Sequence, residues 1–204
     1  MIIIFATGNE GKMREIRAIL ADVEADILSM KEAGLRLDIE EDGESFAENA
    51  LIKARAVADA LTAEGRFHDC AVLADDSGLE IDRLNGEPGI RSARYLGEET
   101  PFSVKSRDIL KRMEGVSDEE RTARFVCAIS AVFPDGAHVT TRGTIEGRIG
   151  HAPAGDNGFG YDPIFYLPEY GRTAAELTDE EKNRISHRSR ALALMKEELI
   201  KRGF

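Results

Sequence analysis

The sequence predicts an α/β domain on a mixed sheet, and three features predict it. The chain opens with an unbroken apolar run, Ile2 to Ala6, then a glycine-containing turn, then a stretch with helical spacing. It carries a long antiparallel pair, Arg124 to Phe133 and His138 to Ile149, joined by Pro134-Asp135-Gly136. Amphipathic helices separate and follow these strands. A β–α opening combined with a hairpin calls for a sheet with strands in both directions.

Each element has its own signal. Ile2 to Ala6 contains three isoleucines and no polar residue, as for a strand covered on both faces. In Lys12 to Leu20 the residues Met13, Ile16, Ile19 and Leu20 fall on one side of a helix. Asp26 to Ser29 reads as a second strand. From Glu44 to Ala63, Phe46, Ala50, Ala54, Val57, Ala58 and Leu61 form one helical stripe. Asn49 and Lys53 lie on one edge of it, while Glu48 and Arg55 point away. Ala71 to Ala74 and Leu79 to Asp82 read as short strands around Asp75-Asp76-Ser77-Gly78. Pro101 to Met113 is predicted helical. Gly155 to Gly160 is a loop with three glycines. Ser186 caps a final helix to Lys201, with Ile185, Leu192, Met195 and Leu199 as its stripe. No repeat or Pro/Ser/Gly linker interrupts the chain, so residues 1–204 are expected to form one domain.

Composition narrows the function classes. The 204 residues are 42% hydrophobic and 32% charged with 6 prolines, a globular composition. The net charge of −11 argues against a broad nucleic-acid or anionic-membrane surface and leaves room for a small basic pocket. Cys70 and Cys127 sit in apolar runs without metal-ligand spacing, as for reduced thiols in the cytoplasm. His68, His138, His151 and His187 form no zinc-type pair. The N-terminus lacks a signal peptide's basic flank, and the longest apolar run, Phe125 to Pro134, falls short of the roughly 20 residues that span a bilayer. The expectation is a cytoplasmic protein with neither nucleic acid nor membrane as partner.

Several segments offer chemistry. Thr7-Gly8-Asn9-Glu10-Gly11-Lys12 joins a strand to a helix N-terminus, where backbone N–H groups and a lysine suit a phosphate; a plain turn with a surface lysine has the same pattern. It is not a Walker A loop, because Met13 stands where the magnesium-binding Ser or Thr would be. Asp75 and Asp76 end an apolar strand, and successive strand side chains face opposite ways. One can therefore enter a cleft while the other braces the structure. The acids Asp38 to Asp42 read as a second source of metal donors or as a solvated loop. Lys53 reads as a snorkelling side chain or a phosphate contact. His187 and Arg188 are base donors or helix-end residues. Gly158-Phe159-Gly160-Tyr161-Asp162-Pro163 admits a flat ring or seals a core.

Five blocks taken together are more specific: TGNEGK (7–12), EEDGESFAENALIKA (40–54), ADDSGLEIDRLNGEPGIRSARYLG (74–97), GFGYDPIF (158–165) and EKNRISHRSRA (181–191). In this order they resemble the bacterial branch of the Ham1/inosine triphosphatase family of non-standard purine nucleoside triphosphate pyrophosphatases. The resemblance implies an elongated mixed sheet flanked by helices, in two lobes with a nucleotide cleft between them. It implies a cytoplasmic homodimer that needs Mg²⁺ and converts ITP, dITP and XTP to the monophosphate and pyrophosphate. Position by position, Thr7, Gly8, Asn9, Glu10, Gly11 and Lys12 match the triphosphate turn. Glu40 and Asp76 match the metal ligands, Asp76 also the catalytic base, and Lys12 and Lys53 the catalytic cations. Ser77 matches a substrate contact. Phe159, Gly160, Tyr161, Asp162, Lys182, His187 and Arg188 match the base and sugar pocket. Arg91 stands where many relatives carry Tyr. The rivals are a Maf-type pyrophosphatase for modified pyrimidine nucleotides and a nucleotide sensor without turnover.

Overall fold

The computed structural model describes residues 1–204. Seven strands form one mixed sheet: β1 (Ile2–Phe5), β2 (Asp26–Ser29), β3 (Cys70–Ile81), β4 (Thr122–Val132), β5 (His138–Ile149), β6 (Phe165–Leu167) and β7 (Arg172–Thr173), in spatial order β2-β1-β3-β4-β5-β6-β7. Five α-helices accompany them: α1 (Glu10–Ile19), α2 (Phe46–Ala63), α3 (Phe102–Arg112), α4 (Asp179–Ile185) and α5 (His187–Lys201). β1 runs parallel to β2 and β3, with Ile2 opposite Asp26 and Cys70, whereas β5, β6 and β7 pair antiparallel. The predicted α/β class and mixed sheet are what the chain adopts.

The chain divides into two compact units. The first comprises Met1–Asp76, Cys127–Gly143 and His187–Phe204; the second comprises Ser77–Val126 and Thr144–Ser186. The chain passes from one to the other within β3, β4 and β5.

In the first unit the strand alternation builds two cores. Ile3, Phe5, Ala71 and Leu73 pack with Met13 and Ile16 of α1, with Leu20 just after it, and with Leu192, Met195 and Leu199 of α5. Ile4, Cys70, Val72 and Ala74 face the other way, onto Ala54, Val57, Ala58 and Leu61 of α2. Ser45 caps α2 by accepting from the Glu48 N–H, so the helix begins two residues later than the predicted Glu44. Gly143 lets α5 approach, since a Cβ there would lie 2.2 Å from the His187 carbonyl oxygen. The second unit has its own core of Leu79, Ile81, Ile109, Met113, Phe125, Ile149 and Phe165, among others.

Three sequence expectations are corrected here. Asp75 to Gly78 is not a turn between two short strands; β3 runs through it without a break. The strands β6 and β7 were not anticipated. Nor was α4, whose start carries a capping box: the Thr178 hydroxyl accepts from Glu181 N–H and the Glu181 carboxylate accepts from Thr178 N–H. Both cysteines are buried and unbridged, and no helix is long and apolar enough to cross a membrane.

Candidate active site

The site follows from the two-core arrangement of the first unit. Residues 71 and 73 face α1 and α5, and Asp75 continues that row. Residues 70, 72 and 74 face α2, and Asp76 continues that one. The two adjacent acids therefore meet different partners.

Asp75 is almost fully buried among cations. Lys12 of α1 donates to its Oδ1 at 3.1 Å, and Arg188 of α5 lies 3.4 Å from its Oδ2. Arg188 also pairs with Glu15, one turn after Lys12 on α1. Burial alone would raise the Asp75 carboxyl; Lys12 and Arg188 overcome it and hold the group well below the usual carboxylate range. Asp75 is thus an ionised brace between Lys12 and Arg188.

Asp76 has the opposite character. Burial raises its carboxyl above the ordinary value, with Lys53 and the Asn49 amide opposing that rise. Asn49 Nδ2 donates to its Oδ2 at 3.1 Å, and Lys53 Nζ lies 3.9 Å from its Oδ1. Lys53 is held from the other side by Glu41 at 3.2 Å. Glu40, one residue earlier, is exposed.

A cavity of about 250 Å³ opens between these groups, lined by Thr7, Gly8, Lys12, Glu41, Lys53 and Asp75 with Ala6 and an apolar wall of Met30, Leu37 and Ile39. It lies at the C-terminal end of β1, where the following helix covers one face and α2 the other, the position at which parallel sheets bind ligands. The volume is below the roughly 300–1,000 Å³ of pockets that hold whole drug-sized molecules, so it suits part of a ligand. In the turn, Asn9 caps α1 by accepting from Lys12 N–H at 3.1 Å, and the Thr7 hydroxyl accepts from Asn9 N–H at 3.2 Å. Two of the turn's amides are therefore engaged locally. Glu10 is exposed and Gly11 is half-buried in the first turn of α1.

An ion fits only in company. No group of three or more His, Cys, Asp or Glu side chains gathers to hold one. Mg²⁺ needs just one or two carboxylates, completing its shell with water and phosphate oxygens. The partly accessible Asp76 and the solvated Glu40 are oxygen donors of that kind. Asp75, committed to Lys12 and Arg188, is not.

The second unit holds a separate cluster. Asp162 is buried, and its Oδ2 accepts from the Phe159 N–H and from Lys182 Nζ, each at 2.8 Å. Lys182 Nζ also stands 4.7 Å from the Phe159 ring centroid. Gly158 has φ +74°, and a Cβ there would lie 2.2 Å from Asp162 Oδ2, so only glycine fits. The result is a braced aromatic ring, 38% exposed, backed by an ammonium group. The Tyr161 hydroxyl donates to the Ser92 carbonyl and takes no part in that surface. Gly160 follows Phe159, and Ser77 begins this unit's share of β3. His187 is buried at the start of α5 in the first unit.

The structure thus gathers Thr7, Gly8, Lys12, Lys53 and Asp76 in one unit, and Phe159, Asp162 and Lys182 in the other. Sequence reasoning missed Glu15, took Glu41 only as one of the acids 38–42 and saw Asn49 only as the edge of a helical stripe. Glu15 had a signal, lying one helical turn from Lys12.

Known proteins match this pattern over nearly the whole chain. A sequence profile described as the Ham1 family covers residues 3–198. A dITP/XTP pyrophosphatase of Clostridium perfringens is 47% identical over 96% of both chains. Among solved structures, the Ham1 protein of Staphylococcus aureus superposes with a TM-score of 0.86 at 40% identity, covering 99% of this chain and 100% of that one. A HAM1 protein from Coxiella burnetii gives 0.86 at 40% identity, covering 98% and 99%.

Proposed function

The chain belongs to the Ham1 family, and on that premise we propose that it hydrolyses the non-standard purine nucleoside triphosphates ITP, dITP and XTP to the monophosphate and pyrophosphate. The observation that carries the reading is the asymmetry of two adjacent acids, of which Asp75 lines the cavity and Asp76 faces Lys53, another of its lining residues. One is fixed as an ionised brace for Lys12, and the other is held by the Asn49 amide beside Lys53, with its carboxyl raised by burial.

Lys12 and Lys53 line the cavity together with Thr7 and Gly8. They bind the phosphate chain and offset the negative charge that builds on departing pyrophosphate. Glu40 and Asp76 would hold Mg²⁺, which would supply further neutralisation of the phosphate charge. Asp76 accepts a proton from the water that attacks the α-phosphorus. A P–O bond forms there, and the bond to the bridging oxygen of pyrophosphate breaks. Asn9, Glu10 and Gly11 shape the turn, and Ser77 follows Asp76 as a substrate contact.

The Phe159 ring offers a stacking surface, braced by Asp162 and Lys182 and followed by Gly160. The Lys182 ammonium beside that ring is a donor that suits the 6-oxo group of hypoxanthine or xanthine, whereas Arg188 is committed to Glu15 and Asp75. Adenine presents a donor there instead, and an unpaired buried polar group costs about 1–3 kcal/mol. The protein is proposed to act as a cytoplasmic homodimer. Side-by-side rates on ITP, XTP, dATP and GTP test the base preference: ITP and XTP should lead, and faster dATP or GTP hydrolysis would refute it.

A further inference from the structure

We infer that Asn49 is a positioning residue for this reaction: it aims Asp76 and locks it to the acidic segment that precedes α2. The inference deepens the reading above and rests on Asp76 acting as base and cation ligand.

Asn49 is fully buried, so it cannot touch substrate. Both ends of its carboxamide are used. Its Oδ1 accepts from the Gly43 N–H at 2.9 Å, and its Nδ2 donates to Asp76 Oδ2 at 3.1 Å. The orientation follows from chemistry: a backbone N–H can only donate, so oxygen faces Gly43 and nitrogen faces the carboxylate. No hydroxyl or aliphatic side chain could serve both at this span.

The contacts close a ring. Asn49 holds one oxygen of Asp76, and the other faces Lys53. Lys53 pairs with Glu41. Glu41 lies two residues before Gly43, whose amide returns to Asn49. The proposed base, a phosphate-binding lysine and the segment bearing Glu40 are therefore fixed by one buried amide. Gly43 is part of the device, since a Cβ there would sit 2.7 Å from Asn49 Oδ1 and 2.8 Å from the Glu48 Cβ. A ligand-orienting group of this type typically changes metal affinity or activity when removed.

The test compares Asn49→Asp and Asn49→Ser with the unaltered protein and with Asp76→Asn. Asn49→Asp keeps the shape and the acceptor for Gly43 but turns an acceptor towards Asp76. Three quantities are read: ITP turnover against Mg²⁺ concentration, Mn²⁺ binding by electron paramagnetic resonance without nucleotide, and the thermal midpoint. Both folded variants should lose about 10–100-fold in turnover or in metal affinity, with weaker Mn²⁺ binding as well. A purely structural amide would lower the midpoint and leave Mn²⁺ affinity and the Mg²⁺ requirement alone. That result, with Asp76→Asn inactive, overturns the inference while the reading of Asp76 stands. An active Asp76→Asn protein overturns both. Should neither Asn49 variant fold, Gly43→Ala presses on the same carboxamide, and an unchanged Mg²⁺ requirement there is equally contrary.

Discussion

Lys12 Nζ lies 3.0 Å from Asp75 Oδ2, and the same oxygen lies 3.4 Å from Arg188 Nη2. One buried carboxylate thus holds Lys12, in the first turn of α1, and Arg188, in the first turn of α5. Removing it would leave Lys12 without this anion and Arg188 with Glu15 alone. Asp75→Asn should therefore destabilise the fold by about 3–5 kcal/mol, measured by urea denaturation. Its carboxyl is held below the unfolded value of 3.8, so the unfolded chain keeps its proton more readily than the folded one. The stability it contributes is present above pH 3.8 and drains away as the pH falls further. The unaltered protein should accordingly lose stability more steeply than Asp75→Asn between neutral pH and strong acid.

Asp76 should behave in the opposite sense. Its folded carboxyl is raised above 3.8, so the folded chain binds the proton better, and stability falls as the pH rises through the window above 3.8. At neutral pH the ionised group is a burden on the fold. Asp76→Asn should abolish most turnover and, without divalent cation, raise the thermal midpoint at pH 7 relative to the unaltered protein. A lowered midpoint would contradict the account of its burial.

Glu40 and Glu41 are neighbours with different surroundings. Glu41 is engaged by Lys53, whereas Glu40 is exposed. Glu40→Gln should raise the Mg²⁺ concentration for half-maximal turnover by about 10–100-fold. Glu41→Gln should instead act through Lys53 and raise the KM for ITP. Steady-state kinetics with Mg²⁺ and ITP varied independently separates the two effects.

Gly158→Ala tests the second unit. A Cβ would collide with the Asp162 carboxylate, and the left-handed backbone costs an L-residue about 1–2 kcal/mol. The Phe159–Asp162–Lys182 cluster should loosen, raising the KM for ITP. Inhibition by inorganic pyrophosphate, whose proposed site lies in the first unit, should stay unchanged.

Much of this was legible in the sequence where side-chain pattern and backbone state agree. The run Ile2 to Phe5, the stripe of α2 and the Pro134-Asp135-Gly136 turn each carry their own signal. The family blocks supplied the residues to look at. Asp75 to Gly78 misled because Asp and Gly are depleted in strands; here both carboxylates are satisfied by partners far along the chain, and β3 continues. Asn49 was seen only as the edge of a stripe. Its meaning depends on Gly43 and Asp76, six residues before and 27 after it, and no local period reports such a contact. The assignment of Arg188 to the base pocket rests on the resemblance, whereas its pairing with Glu15 and Asp75 emerged only when α1, α5 and β3 came together.

The most direct test follows the phosphorus released from ITP, with and without added inorganic pyrophosphatase. Cleavage at the α-phosphorus predicts that orthophosphate appears only when pyrophosphatase is present, alongside IMP, and that Asp76→Asn yields neither. Orthophosphate released without pyrophosphatase, or dTTP consumed while ITP persists, would contradict the account.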